Sequence, residues 1–224
     1  MTIKYFPDMV QGSQAWLDAK CGLLSASNTK LILTPTLKVA ANDKERAYVA
    51  EIAAQRISGF IETGWSGDNF DRGHSDEIEA RQLYDKYYAP LQSVGFITND
   101  KWGFTLGFSP DGLVGDDGFI EVKSRVQKFQ IQTIIDRAMP DDFALQVQTG
   151  LMVSERKWCD FISYSDGLPM FTVRVFHDLK IQEAIIRAAT EFEQRVAEKV
   201  DLYIAALKSD ARLIPTKRIP REMF

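Results

Sequence analysis

Hydrophobic spacing along the chain changes character twice. From the N-terminus to about residue 88 the apolar positions recur at helical intervals. Ser13 stands as an N-cap before Gln14-Ala15-Trp16-Leu17-Asp18-Ala19-Lys20, which predicts a short helix over 13–20. Gly22 stops it, and the small hydroxyl run Ser25-Ala26-Ser27-Asn28 leads into a second short helix over Thr29–Leu33. Tyr48, Val49, Ile52, Ala53 and Ile57 predict a long amphipathic helix over 42–59. Residues 60–72, with Gly64, Gly67 and Asp71, are expected to be a loop, and a helix is expected from Ser75 to Tyr88. The pattern then turns to short β-rich runs broken by Asn, Asp and Gly. Val94–Thr98, Gly103–Ser109 and Phe119–Ser124 predict three strands. Helical spacing returns over 127–137 and 142–153. Lys157–Tyr164 and Met170–Phe176 predict a hairpin around Asp166-Gly167, and a last long helix is expected over Leu179–Leu207. This order predicts one α/β domain, residues 1–224, with a central mixed sheet flanked by helices.

Composition narrows the class rather than naming it. The chain has 224 residues, 45% hydrophobic and 26% charged, as in an ordinary globular protein with a real core. No apolar run reaches the length of about 18 residues needed for a membrane helix, and the first residues lack a basic-then-apolar secretory pattern. Cys21 and Cys159 have no metal-ligand spacing, so reduced thiols in a cytoplasm are expected. A net charge of −4 argues against a protein that coats nucleic acid, but not against an enzyme that sets acidic groups beside a local basic groove.

The candidate chemistry sits in the β-rich part. Asp111 lies between Pro110 and Gly112 at a strand-to-turn boundary. Glu121 and Lys123, two apart on the next predicted strand, leave the same face, while Ile120 and Val122 point to the other. A hairpin through Gly115-Asp116-Asp117-Gly118 brings Asp111 beside Glu121. Two adjacent carboxylates repel unless a cation lies between them. A hard divalent ion with oxygen ligands meets that need. A neighbouring lysine can orient or deprotonate an attacking water, or stabilise charge on a phosphorane, and together these groups suit phosphodiester hydrolysis. Taken singly, the same pieces also read as a turn and a solvated strand face.

With these motifs in order, the chain resembles the PD-(D/E)xK nucleases, and among them the lambda-type phage exonucleases of the YqaJ-like viral recombinase family. Four blocks carry the resemblance: Gln14 to Ser27, with its Gly22-Leu23-Leu24-Ser25-Ala26-Ser27 turn; Arg72-Gly73-His74-Ser75-Asp76-Glu77-Ile78-Glu79-Ala80-Arg81; Ser109-Pro110-Asp111-Gly112 with Glu121-Val122-Lys123; and Ala144-Leu145-Gln146-Val147-Gln148. The resemblance implies a restriction-endonuclease-like core. It implies that Asp111, Glu121, the Val122 carbonyl and Glu77 hold one or two Mg²⁺ ions, or Mn²⁺ in their place. Lys123 then serves the attacking water and Gln146 supports it. Gln148 is a weaker second partner, since residues two apart on a helix do not share a face.

In the same way, Lys20, Ser25 and Ser27 are implied to hold the 5′-phosphate of DNA, with lysine where the family often has arginine. That substitution keeps the charge but loses the bidentate fork. Phe70 falls where relatives carry an apolar wedge, with an ordinary core contact as the alternative. Arg125 and Lys128 either line a DNA groove or form a solvated helix face, and Glu79 is expected to be solvated. His74 and His177, each isolated, are expected to be surface or structural residues. The implied activity is 5′-to-3′ degradation of one strand of linear duplex DNA, leaving 3′ overhangs. A ring-shaped homotrimer and a single-strand annealing protein are the implied partners, and a phage or prophage protein in bacterial cytoplasm the implied setting. Two rivals remain: another nuclease of the superfamily, and a non-catalytic DNA-end scaffold. Two cysteines cannot supply the four thiolates of an iron–sulfur exonuclease.

Overall fold

The structure is a computed structural model, and it describes residues 2–62, 68–209 and 211–218, with the side chains of 68–72 left out. Local capping explains three of the helix starts. Ser13 Oγ accepts the Trp16 N–H at 3.3 Å and opens α1 (Gln14–Lys20). Asn42 Oδ1 accepts the Glu45 N–H at 3.0 Å and opens α3 (Asp43–Ser58). Asp178 Oδ1 accepts the Ile181 N–H at 3.1 Å and opens α7 (Leu179–Leu207). These are the side chains whose oxygens satisfy the orphan donors of a first turn. Between α1 and α3 come β2 (Leu24–Ser25), a 3₁₀ turn (Ala26–Asn28) and α2 (Thr29–Ile32). Gly22, at φ +74°, makes the turn out of α1, where a Cβ would meet the Arg56 side chain at 2.7 Å.

α4 runs Asp68–Tyr87, so helix begins several residues earlier than the loop-like composition of 60–72 predicts. Gly73 and the Asp/Asn residues have poor intrinsic helix propensity, which hid the early start from a reading of composition. Residues 63–67 of that expected loop lie outside the described residues.

The expected central sheet is present as two sheets. One has four strands in the order β1 (Ile3–Phe6), β4 (Phe96–Asn99), β5 (Leu106–Phe108), β2. The other has five, in the order β3 (Leu91–Gln92), β6 (Gly112–Val114), β7 (Gly118–Ser124), β8 (Trp158–Tyr164), β9 (Phe171–Phe176). Both are mixed: β2 pairs parallel with β5, and β7 with β8, the other ladders being antiparallel. β1, β2, β3 and β6 are short or flank polar residues, which hid them from the alternation test. α5 (Gln127–Asp136), a 3₁₀ turn (Asp141–Phe143) and α6 (Ala144–Ser154) cross over from β7 to β8.

Period-two alternation divides β7 between two cores. Phe119 faces the main core with Val147 and Leu151 of α6 and Ile185, Ala189 and Phe192 of α7. Ile120 and Val122 face the second core with Ala80 and Tyr84 of α4. Gly150 lets α6 approach β5, since a Cβ there would meet the Phe108 ring at 2.7 Å. That close approach sets α6, and therefore Gln146, over the odd-numbered face of β7.

Candidate active site

The β6–β7 hairpin places the two candidate acids opposite each other. Gly112 pairs with Ile120 and the Asp111 N–H reaches the Ile120 carbonyl at 3.3 Å, so the register continues to Asp111 across from Glu121. Asp111 Oδ2 accepts the Val122 N–H at 2.6 Å. Glu121 is 2% exposed, and its Oε1 accepts from Lys123 Nζ at 2.7 Å and from Gln146 Nε2 at 2.5 Å. Its Oε2 is buried with no hydrogen-bond partner among the described residues. A buried carboxylate oxygen left unpaired is expensive, and such a site invites a cation.

The electrostatics agree. Asp111 is pushed well above the usual carboxylate range, first by burial, then by the charges of Glu121 and Glu77, against the pull of Lys123 and the Val122 N–H. Burial also raises Glu77, opposed by Arg81 and His74, with Glu121 adding to the rise. For Lys123 burial acts downward, yet Glu121, Asp111 and Glu77 outweigh it and hold the amine above its ordinary value. The site therefore carries excess negative potential, and Lys123 stays an ammonium within it.

Around this centre opens a cleft of about 260 Å³. Glu77, Asp111, Glu121, Lys123 and Gln146 line one part; Lys20, Ser25 and Ser27 line another, joined by Trp16 and Ser109. The structure thus brings Lys20, Ser25, Ser27, Glu77, Asp111, Glu121, Val122, Lys123 and Gln146, all singled out from the sequence, to one cleft. The Ser25 and Ser27 hydroxyls lie 3.3 Å apart, and Ser25 makes no side-chain cap to the 3₁₀ turn it precedes, so helix capping does not explain it. Lys20 Nζ sits 4.5 Å from the Trp16 ring centre. Burial lowers its pKa despite Glu51. Trp16 Nε1 donates to Ser109 Oγ at 2.9 Å, tying α1 to the strand that leads into Asp111. Ser109 was missed as a site residue; its place directly before Pro110-Asp111 was the available signal.

One candidate stands elsewhere. Arg125 lies outside the cleft lining, within cation–ring distance of both Phe129 and Phe143. Phe70 is in α4, but its side chain lies outside the described residues. Gln148 turns away from the site. Its Oε1 accepts the Asp178 N–H and Gln182 Nε2, both at 2.9 Å, and its Nε2 donates to the Phe176 carbonyl at 2.8 Å. It locks the junction of β9 with α7. His177 belongs to that junction, with Nε2 2.8 Å from the Arg156 carbonyl and Nδ1 2.7 Å from Gln182 Nε2. Glu79 is exposed but not merely solvated: its Oε2 accepts from Tyr164 OH at 2.7 Å.

α4 is aimed by its neighbours. Asp76 is 7% exposed and accepts a short hydrogen bond from Ser124 Oγ, at the end of the strand that carries Lys123. With Tyr164 on Glu79, this fixes the turn that presents Glu77. Asp76→Ala is expected to lose about 1.5–3 kcal/mol of stability, the scale of a hydrogen bond to a charged group. Asp76→Asn, which keeps an acceptor, should recover most of it. Thermal or denaturant unfolding of the two variants checks this, and equal losses would remove the role given to the bond.

An Asp opposite a Glu-x-Lys strand, on a mixed sheet flanked by helices, defines a nuclease core of the PD-(D/E)xK kind. Residues 15–157 match the YqaJ-like viral recombinase domain. The chain belongs to that family, the lambda-type phage exonucleases, and is an exonuclease by class. It is similar to the alkaline exonuclease LHK-Exo from Laribacter hongkongensis, at 28% identity and a TM-score of 0.71, covering 87% of this chain and 100% of that one. Against LHK-Exo in complex with dAMP the values are 30%, 0.72, 87% and 100%. A phage related exonuclease from Haemophilus somnus 129PT shares the fold, at 12% identity and a TM-score of 0.55 over 83% of this chain and 96% of that one. No curated protein matches by sequence. No helix among the described residues is long and apolar enough to cross a membrane.

Proposed function

We propose that this exonuclease degrades the 5′-ended strand of linear duplex DNA in a Mg²⁺-dependent hydrolysis and leaves 3′ single-stranded overhangs for strand annealing. One observation carries the reading: Glu121, buried, offers one oxygen to Lys123 and Gln146 and leaves the other without a partner, across the hairpin from Asp111. Hard oxygen donors and an uncompensated carboxylate fit Mg²⁺, which uses one or two carboxylates plus substrate phosphate. Among the described residues no three acidic, His or Cys side chains already converge closely enough to hold an ion by themselves. Asp111, Glu121, the Val122 carbonyl and Glu77 would hold the ion or ions. When bound, the metal supplies Lewis acidity and a nucleophilic water at neutral pH.

The chain's own residues do the rest. Lys123, held as an ammonium, orients the attacking water and stabilises charge on the phosphoryl oxygens. Gln146 fixes Glu121 through Oε1. Lys20, Ser25 and Ser27, at the other end of the same cleft, bind the 5′-phosphate and so set how far the strand enters. The relative LHK-Exo has a structure in complex with dAMP, which supports recognition of a nucleotide by this chain too. A homotrimeric ring would retain DNA topologically, which suits a chain of net charge −4. An annealing protein would take the exposed strand, in the cytoplasm of a bacterium that carries the phage.

The test is digestion of end-labelled duplex with Mg²⁺, with and without a chelator. Linear DNA with 5′-phosphates is expected to release mononucleotides from the 5′ ends. Duplex with 5′-hydroxyl ends should react at least several-fold more slowly, and a covalently closed circle should survive. Cleavage of the circle would make the protein an endonuclease, and equal rates on the two kinds of end would remove the phosphate pocket.

A further inference from the structure

Outside the cleft, cations and aromatic rings alternate in a row. Lys123 Nζ lies 5.5 Å from the centre of the Phe143 ring. The Arg125 guanidinium carbon lies 5.2 Å from that ring and 5.0 Å from the Phe129 ring. Lys128 Nζ lies 4.9 Å from the Phe129 ring. The row therefore begins at the reaction centre and ends on the first turn of α5. Its inner ring is anchored, because Phe143 packs against the buried Phe161 at 5.3 Å. Its outer ring is not: Phe129 is 47% exposed.

Neither a core nor a solvated helix face accounts for this arrangement. A core role would bury Phe129, and a solvated face gains nothing from an exposed ring between two cations. Arg125 gives a second sign. Its Nε is buried without a hydrogen-bond partner among the described residues, although Asp142 is near enough to act on its charge. The guanidinium lies against two rings with its hydrogen-bonding capacity incompletely used.

We propose that the row from Lys123 to Lys128 is a track for a single-stranded nucleic acid segment next to the scissile bond, with a base stacked on Phe129 and phosphates on Arg125 and Lys128. Bases stack on exposed aromatic rings whatever their sequence, and phosphates pair with the interleaved cations. An enzyme that consumes one strand of a duplex generates single strand beside its reaction centre. The track rests on the nuclease reading for its purpose, but its existence is measured by binding alone.

The experiment uses the full chain in chelator, with a fluorescein-labelled oligothymidylate and fluorescence anisotropy. Phe129→Ala is expected to weaken binding about tenfold, within the range for loss of one stacked base. Phe129→Trp should bind at least as well as the native chain, and Phe129→Leu should bind as poorly as alanine. Lys128→Ala should flatten the salt dependence by about 0.7 in log–log slope, one phosphate contact on a single strand. Three results would overturn the track. The native chain fails to bind the oligonucleotide; Phe129→Leu binds as tightly as phenylalanine, which reduces the site to an apolar contact; or Phe129→Ala changes the assembly mass in light scattering, which makes this face a contact between copies. Failure here is separable from failure of the nuclease reading. Cleavage with Mg²⁺ and Phe129-independent binding sinks the track alone. Phe129-dependent binding without cleavage sinks the nuclease reading alone.

Discussion

Replacing Lys123 with alanine is expected to lower cleavage of linear duplex by at least about a hundredfold, toward the 10⁴-fold limit for a positioned proton-transfer or charge-stabilising group, while DNA binding stays within a few-fold. The amine sits 2.7 Å from Glu121 Oε1, in a site where three carboxylates keep it charged. Among the described residues, the one other cation lining the cleft is Lys20, which sits over Trp16. Arginine is not expected to restore the rate, because its planar fork cannot replace a compact ammonium at one oxygen. Removing the amine also leaves Glu121 Oε1 with Gln146 as its one side-chain donor among the described residues, so some stability is lost with it. Circular dichroism and duplex binding in chelator therefore accompany the rate measurement. Turnover like that of the native chain would contradict the role assigned to Lys123, and loss of both binding and fold would place its effect in stability.

Asp111→Asn is expected to separate stability from function, with cleavage lost and the metal-free protein made more stable at neutral and alkaline pH. Asp111 carries a raised pKa because it is buried and faces Glu121 and Glu77. The folded state therefore binds the proton more tightly than the unfolded chain does. The sign follows from linkage: stability from this group is fully present below the unfolded pKa of a carboxylate and is lost as pH rises through the higher folded value. Asparagine keeps the side-chain oxygen that accepts the Val122 N–H and removes the charge that the fold disfavours. The native chain in chelator should thus melt at a lower temperature at pH 8 than near pH 5 through this site, and the asparagine variant should show a smaller difference. Mg²⁺ should raise the melting temperature of the native chain at pH 8 and have little effect on the variant. If the variant melts lower than the native chain at pH 8 in chelator, the carboxylates are not in conflict and the argument for a cation between them weakens.

Much of the reaction centre was legible because it is local. Glu121 and Lys123 share a face by strand periodicity alone, and Asp111 joins them through a turn whose residues announce themselves. Lys20, Ser25 and Ser27 follow within one helix-and-turn unit. Phe129 and Phe143 were not legible as a pair around Arg125, since nothing in their spacing brings α5 and the turn before α6 against one residue. Glu79 was read as solvated because its acceptor role depends on Tyr164, 85 positions away in the chain. Ser109 was overlooked because its hydroxyl gains meaning only when Trp16 arrives from α1, 93 positions earlier.

The chain's own order of residues determined the helices with side-chain caps at Ser13, Asn42 and Asp178, the β6–β7 hairpin, and which side chains leave β7 together. Those are decisions made within a few residues, where sterics and hydrogen bonding to the nearest backbone dominate. Tertiary packing decided that the strands divide into two sheets and that Gln146 rather than Gln148 meets Glu121. Each of those outcomes depends on which apolar face is buried against which other. Burial is settled between segments far apart in the chain, as where Gly150 admits Phe108 and lowers α6 onto the site.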